Sequence, residues 1–367
     1  MTDTIAIHHA LSALNAVKAT HVALNRNGRL FMLLPSDRKA ALHTLSLYQP
    51  QRLKAKVAIF LVKILVLLGL HQLFLPQWSA GNAELAIDPL FVGVDHKSVG
   101  IMLGSPEHSV RRAILTYQCQ GKQEVAKIAF GAEGREVISA EAAVLRDLPE
   151  RWQAIPRLID CYATPACSLL RMPFEKGEPI SSGEVTEVLK LLDSWMSADL
   201  AIRADSFPEW NEILSALEET EEGRLALEAL SKQMLVPTLR HGDFARWNLL
   251  RKSDRSLVVL DWEWGKANSM PGLDLVHFFL QEERLVNQLT HEQAMVATIA
   301  KLGLESCENY MSRGGWRGSM ILPLIASLAW KQGAGHQDNH KILQESLELF
   351  KNCQSTTYPQ LIDHVIP

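Results

Sequence analysis

Cysteine is scarce in this chain, and the five present, Cys119, Cys161, Cys167, Cys307 and Cys353, include no C-x-x-C pair. Their odd number and irregular spacing exclude a disulfide framework and a cysteine-based zinc site. They fit a reduced, cytoplasmic compartment. A charge excess is missing as well. With 37 basic against 41 acidic residues, a net of −4, the chain has no electrostatic footprint for nucleic acid. The start, MTDTIAIHHALSALNAVK, lacks the basic n-region and apolar core of a secretory signal. There is no internal repeat and no low-complexity tract. What remains is a chain of 367 residues with an ordinary hydrophobic share of 47%, enough for two or three domains with sizeable cores.

One long apolar run stands out. Residues 57–75, VAIFLVKILVLLGLHQLFL, are broken only by Lys63 and by His71 with Gln72. Each Leu, Ile, Val or Phe contributes roughly −0.3 to −0.6 kcal/mol to insertion and a central Lys costs about +3, so the sum is only mildly favourable. Arg52, Lys54 and Lys56 precede the run, and no Lys or Arg follows it until Lys97. A span would therefore send everything after residue 75 outside. Three placements fit: a helix buried against the body of the protein, a helix on a membrane surface with its basic flank toward anionic lipid, or a true span. The first is the leading expectation. The second makes residues 52–75 a peripheral membrane contact of an otherwise cytoplasmic protein.

Three blocks follow from the patterning. Residues 1–90 hold short mixed elements and an apolar helix at 57–75. Residues 91–174 are β-rich: VRRAILTYQ and EVAKIAF alternate at period 2 around a turn at Gln120-Gly121-Lys122, a hairpin signal. GREVISAEAAVLRDL then places Val137, Ile138, Val144, Leu145 and Leu148 on one helical face, and CSLLRMPF closes the block as a strand. Residues 175–367 are mainly helical. Ser181 with Glu184 has the form of a capping box, followed by Val185, Val188, Leu189, Leu192 and Trp195 at helical spacing. Within this block RHGDFARWNLL and SLVVLDWEWG bracket a polar turn at residues 252–255.

The chemistry concentrates around that turn. Asp261 ends the run SLVVL, where a strand stops, and an anion there needs a cation or donors. Asn248 supplies a neutral oxygen. A carboxylate plus an amide oxygen, completed by water and phosphate, is a common way of holding Mg²⁺. Asp243, five residues before Asn248, is left to accept and orient a substrate hydroxyl.

The succession H-G-D-x-x-x-x-N, an apolar strand with D-W-E, then PGLDLVHF resembles the aminoglycoside phosphotransferase and choline kinase superfamily, over roughly residues 95–345. The resemblance implies an α+β, two-lobed protein-kinase-like fold, with a small β-rich N-lobe, a mainly helical C-lobe and an extra N-terminal segment. It implies ATP and Mg²⁺ as cofactors, Asp243 as catalytic base with His241 bracing its loop, and Asn248 and Asp261 on the metal with Glu263 in support. It makes Asp274 a structural anchor. A kinase-like site also needs a strand lysine for the α- and β-phosphates, paired to a helix glutamate. Lys127 fills the first place, and Glu141, on the apolar stripe of its helix, fills the second in preference to Glu136. LLRMPFEKGEPI resembles the family's hinge, with adenine contacts near Met172 and Phe174. Use of ATP also argues against a span at 57–75, which would put the later blocks on the wrong side of the membrane.

Some positions depart from the family pattern. The phosphate loop expected near MLGSPEHSV has a single glycine, Gly104. Arg246 and Trp247 stand where relatives often carry Pro or Gly. The expected function is phosphoryl transfer to the hydroxyl of a small molecule of sugar, amino-alcohol or aminoglycoside type. The acidic cluster Glu218, Glu219, Glu221 and Glu222 is either an attractor for a cationic acceptor or a solvated face. The alternative is a catalytically weak or inactive module that binds nucleotide, or a protein partner through residues 1–90.

Overall fold

The computed structural model describes residues 10–11, 20–26, 28–50, 53–79, 93–104, 112–148, 152–164, 167–181, 183–197, 200–335 and 340–355. The chain forms two compact units, Met1–Pro149 with Ile155–Gly177, and Glu150–Ala154 with Glu178–Pro367. The first is built on a sheet and the second is mainly helical, the α+β division expected from the patterning.

The first unit contains β1 (His21–Arg26), β2 (Arg29–Pro35), α1 (Arg38–Ser46), α2 (Leu53–Leu67), α3 (His71–Phe74), β3 (Gln77–Trp78), β4 (Val94–Leu103), β5 (Arg112–Cys119), β6 (Lys122–Phe130), α4 (Gly131–Asp147), β7 (Asp160–Ala163) and β8 (Cys167–Pro173). Among the described residues its eight strands make one antiparallel sheet in the order β3-β1-β2-β4-β5-β6-β8-β7. The first eighty residues thus add three strands to the sheet formed after residue 93, joined through Met32 opposite Met102 and Leu33 opposite Ile101. Alternation sorts the side chains to two faces. Met32 and Leu34 pack with Val22, Leu45 and Val66, whereas Leu33 packs with Ile101, Leu115, Ile128 and Leu169. Gly100 brings α1 close. A Cβ there would stand 1.9 Å from Oγ1 of Thr44, which is hydrogen-bonded to Thr116 at 2.7 Å. The β5–β6 hairpin turns at Gln120 and Gly121, both at positive φ, as the sequence predicted.

The apolar run is not one helix over 57–75. α2 ends in a Schellman motif: Gly69 is left-handed, its amide bonds to the Val66 carbonyl, and the Leu70 amide bonds to that of Leu65. α3 then starts at His71. Nor is α2 a buried helix, since Val66 is its one buried residue. Its other apolar face, with Leu53, Val57, Phe60, Leu61 and Leu67, is exposed. No helix among the described residues is long and apolar enough to cross a membrane.

The second unit contains β9 (Glu178–Pro179), α5 (Val185–Ser194), β10 (Ile202–Arg203), α6 (Trp210–Leu217), α7 (Glu221–Ser231), β11 (Met234–Leu235), β12 (Thr238–Arg240), β13 (Leu249–Arg251), β14 (Leu257–Val259), β15 (Lys266–Ser269), α8 (Leu273–Gln281), α9 (His291–Leu302), α10 (Glu305–Arg313), α11 (Ile321–Gly333) and α12 (His340–Ser355). α8 and α11 form its centre: Leu273–Leu280 and Ile321–Lys331 are buried throughout. The expected capping box is only half made. The Glu184 carboxylate accepts the Ser181 amide, but Glu184 itself is the cap residue and α5 starts at Val185. Glu184 is drawn aside by Arg251, 2.5 Å away.

Candidate active site

The loop between β12 and β13 holds the H-G-D-x-x-x-x-N residues, and its shape is fixed by buried hydrogen bonds. The Asp274 carboxylate, from the first turn of α8, accepts the amide of His241 at 2.6 Å and that of Gly242 at 2.8 Å. Gly242 has φ +85 and lies on Trp264, whose Cβ would be 2.5 Å from any Cβ added there. Only glycine meets both conditions. The His241 ring bridges the loop to the following hairpin. Nε2 is 2.8 Å from the Leu260 carbonyl, and Nδ1 is 3.2 Å from the Asp243 amide. Nδ1 accepts from an N–H and Nε2 faces a carbonyl, so the ring is the neutral Nε2–H tautomer. His241 braces the loop and does not itself reach outward. Beneath it, His241 and Trp195 meet Trp262 edge-on at 4.8 and 5.4 Å, which gives Trp262 a packing role.

Asp243 is gripped on both oxygens. His277 Nε2 donates to Oδ1 at 2.9 Å and Asn248 Nδ2 donates to Oδ2 at 3.2 Å. Each carboxylate oxygen keeps a second lone pair for a hydroxyl. Burial opposes ionisation, yet the hydrogen bond from His277 and the charge of Lys331 hold the carboxyl well below the usual carboxylate range. His277 is itself buried. Burial and then the Lys331 ammonium, 3.5 Å away, push its imidazole below the ordinary value, against the pull of Asp243. Burial likewise lowers Lys331. The stable arrangement near neutral pH is an ionised Asp243 beside a neutral His277.

This pair sets a pH dependence. The folded chain resists a proton on His277 that the unfolded chain accepts, so the unfolded state binds more protons. Stability from this group is present above the unfolded value of about 6.5 and is lost as pH falls through the lower folded value. Unfolding free energy measured in urea at about pH 7 and about pH 5 is expected to drop more for wild type than for His277→Gln, by on the order of 1 kcal/mol. An equal drop in both would mean that the folded chain protonates His277 freely.

Asn248 and Asp261 end up at the same end of the β13–β14 hairpin. Leu249 pairs with Val259, and the Leu260 amide bonds to the Asn248 carbonyl at 2.8 Å. Asn248 spends its Nδ2 on Asp243, on the carbonyl at 2.9 Å as well as Oδ2, which turns Oδ1 the other way. Asp261 has φ +72, an uncommon conformation for a non-glycine residue. Such departures cluster at functional sites. The two residues thus meet through their backbones at one loop end, and an amide oxygen with a carboxylate is the kind of ligand set Mg²⁺ takes with phosphate and water. Glu263 lies two residues further, half-buried. No group of three or more His, Cys, Asp and Glu able to hold a metal occurs among the described residues.

In the first unit, Lys127 on β6 meets Glu141 on α4, Nζ to Oε1 2.5 Å, with the carboxylate side chain only 2% exposed. Glu136 is not the partner in this pair. Met172 is buried on β8 opposite Val125. Phe174 follows the strand. Its amide is already bonded to the Gln123 carbonyl at 3.1 Å, and its ring lies 4.9 Å from His43 of α1. Of the expected phosphate loop, residues 102–110, only 102–104 are among the described residues.

Three groups were absent from the sequence expectations: His277, Lys331 and Arg240. His277 lies three residues after Asp274, on the same helix face, so the spacing in PGLDLVHF carried the signal. Lys331 ends an apolar helix, where a buried cation needs an anion. Arg240 is buried, 3.4 Å from Glu209, with its guanidinium 3.7 Å from the centre of the Trp330 ring. Arg246 is tied down: Nε donates to the Ile180 carbonyl at 2.8 Å and a terminal nitrogen meets Glu282 at 3.3 Å. In the acidic cluster, Glu222 pairs with Lys351 of α12 at 2.8 Å.

No family model matches the chain, and no curated protein matches it. Among solved structures it is similar to a thermostable mutant of aminoglycoside phosphotransferase APH(4)-Ia in ternary complex with ADP and hygromycin B, with 16% identity, a TM-score of 0.45 and coverage of 70% of this chain and 95% of that one. It is also similar to choline kinase from Cryptosporidium parvum Iowa II, with 14% identity, a TM-score of 0.41 and coverage of 72% and 90%. Spectinomycin phosphotransferase APH(9)-Ia, in complex with ADP and spectinomycin, gives 13% identity, a TM-score of 0.37 and coverage of 69% and 88%.

Proposed function

We propose that this chain is a kinase-like phosphotransferase that moves the γ-phosphate of ATP to a hydroxyl of a small molecule. The observation that carries the reading is Asp243: an ionised carboxylate with each oxygen held by one donor and one lone pair left open on each. Its lowered pKa makes it a weak base. That suits phosphoryl transfer, in which bond breaking to the leaving group runs ahead and the acceptor needs orientation more than early deprotonation. Asn248 and Asp261, with Glu263 behind them, are the proposed holders of Mg²⁺, which would neutralise phosphate charge when bound. Lys127, fixed by Glu141, is the proposed contact to the α- and β-phosphates. The adenine contacts are proposed on the chain around Met172 and Phe174, through groups other than the Phe174 amide. The acceptor class proposed is a sugar, an amino alcohol or an aminoglycoside-like molecule.

Calorimetric titration with ATP, with and without Mg²⁺, tests the assembled site. Wild type is expected to bind far more tightly with Mg²⁺, and Asp261→Ala to lose that gain, about tenfold or more in Kd. Binding of equal strength with and without the metal in both proteins would remove the metal assignment. Binding without ADP release across a panel of hydroxyl acceptors would favour the nucleotide-binding module instead.

A further inference from the structure

We propose that the α2–α3 hairpin is a membrane-surface anchor that seats the first unit on a bilayer bearing anionic lipid. At 100° per residue, Leu53, Val57, Phe60, Leu61 and Leu67 form one stripe along α2, which Leu68 continues into the turn. All six are exposed, Phe60 by 62% and Leu68 by 63%. The opposite stripe, Ile59, Val62 and Val66, packs on the core formed by β1, β2 and α1, which fixes the outward direction of the first. The apolar surface continues around the Gly69 turn onto α3, where Leu73 is 72% and Phe74 68% exposed. An exposed apolar patch of this extent marks an interaction site.

Charge identifies the partner. Residues 38–83 contain six Lys or Arg and no Asp or Glu. Lys56 and Lys63 border the apolar stripe on one side and Lys54 on the other, all three exposed. An apolar face with lysines along its margins matches the boundary between acyl chains and anionic headgroups, where the ammonium groups reach back to the surface. α2 has 15 residues, about 22 Å, against a hydrocarbon core of about 30 Å, so it is suited to lie in the interface. A second copy of the chain fits less well, because a two-fold contact would bring this wholly basic segment against itself.

Flotation of the full chain with vesicles decides the matter. Wild type is expected to float with vesicles of phosphatidylcholine mixed with phosphatidylserine, and much less with phosphatidylcholine alone or at high salt. Replacing Lys54, Lys56 and Lys63 together by Gln should reduce partition into the anionic vesicles about a hundredfold. The double variant Phe60→Ser with Leu61→Ser should reduce it more than tenfold. Circular dichroism and thermal unfolding check that both variants keep the fold, as substitutions at exposed positions should. Absence of wild-type flotation with anionic vesicles overturns the proposal, as does undiminished flotation of the Phe60→Ser, Leu61→Ser variant. A concentration-dependent dimer in sedimentation, lost in that variant and unaccompanied by vesicle binding, would reassign the face to a contact between copies.

Discussion

Asp243→Asn is expected to lower turnover by about 10² to 10⁴ while leaving nucleotide affinity within a few fold. The amide is nearly the same size, so the loss comes from hydrogen-bond direction and charge. Both present partners donate: His277 Nε2 to one oxygen and Asn248 Nδ2 to the other. An asparagine offers one oxygen and one NH₂, so one donor would face another donor at about 3 Å. Either His277 must turn to its other tautomer, or Asn248 must rotate. Rotation of Asn248 would move the Oδ1 proposed for the metal. The carboxylate charge that Lys331 and His277 sense would vanish too, leaving the Lys331 ammonium buried with one anion fewer. Steady-state assay with the acceptor that gives the highest wild-type rate, alongside nucleotide titration of both proteins, measures each part. Turnover near wild type would exclude Asp243 as the group that orients the acceptor.

Much of this is legible in the amino-acid sequence, for physical reasons that differ by residue. The β5–β6 hairpin is local, set by alternation and a Gln-Gly turn. Glu141 was identifiable because a carboxylate on an apolar helix stripe requires a cation, and Lys127 is that cation. His277 escaped because its role depends on a contact 34 residues away in sequence, although its spacing from Asp274 was in plain view. The direction in which α2 faces is hidden for a related reason. Apolar residues outnumber its three lysines on both faces, so periodicity gives no direction, and only packing shows that the narrow Ile59–Val66 stripe faces inward. The break at Gly69 is a local signal that the length of the apolar run masks.

Asp274→Ala is expected to cost about 3–5 kcal/mol of stability, the largest loss from a single side chain at this loop. The reasoning starts from the backbone. The amides of His241 and Gly242 both point into the protein, and the one carboxylate satisfies them at 2.6 and 2.8 Å. His241 and Gly242 are buried, and Asp274 is only 5% exposed, so water is poorly placed to substitute. Two unsatisfied amides cost roughly 1–3 kcal/mol each. Arg240, buried nearby and felt electrostatically by Asp274 as well as Glu209, would lose part of its compensation. Asp274→Asn should lie between, since one oxygen can still accept from one amide while its NH₂ opposes the other. The loop cannot relax far in response, because Gly242 is pressed against Trp264 and the His241 ring is bonded to Leu260. Strain should therefore pass to Asp243, and turnover of Asp274→Asn should fall together with its stability. Urea unfolding of the three proteins, with turnover measured in parallel, tests the chain of cause. An Asp274→Ala protein within about 1 kcal/mol of wild type would mean that the amides find other acceptors and that the loop is held chiefly by its aromatic packing.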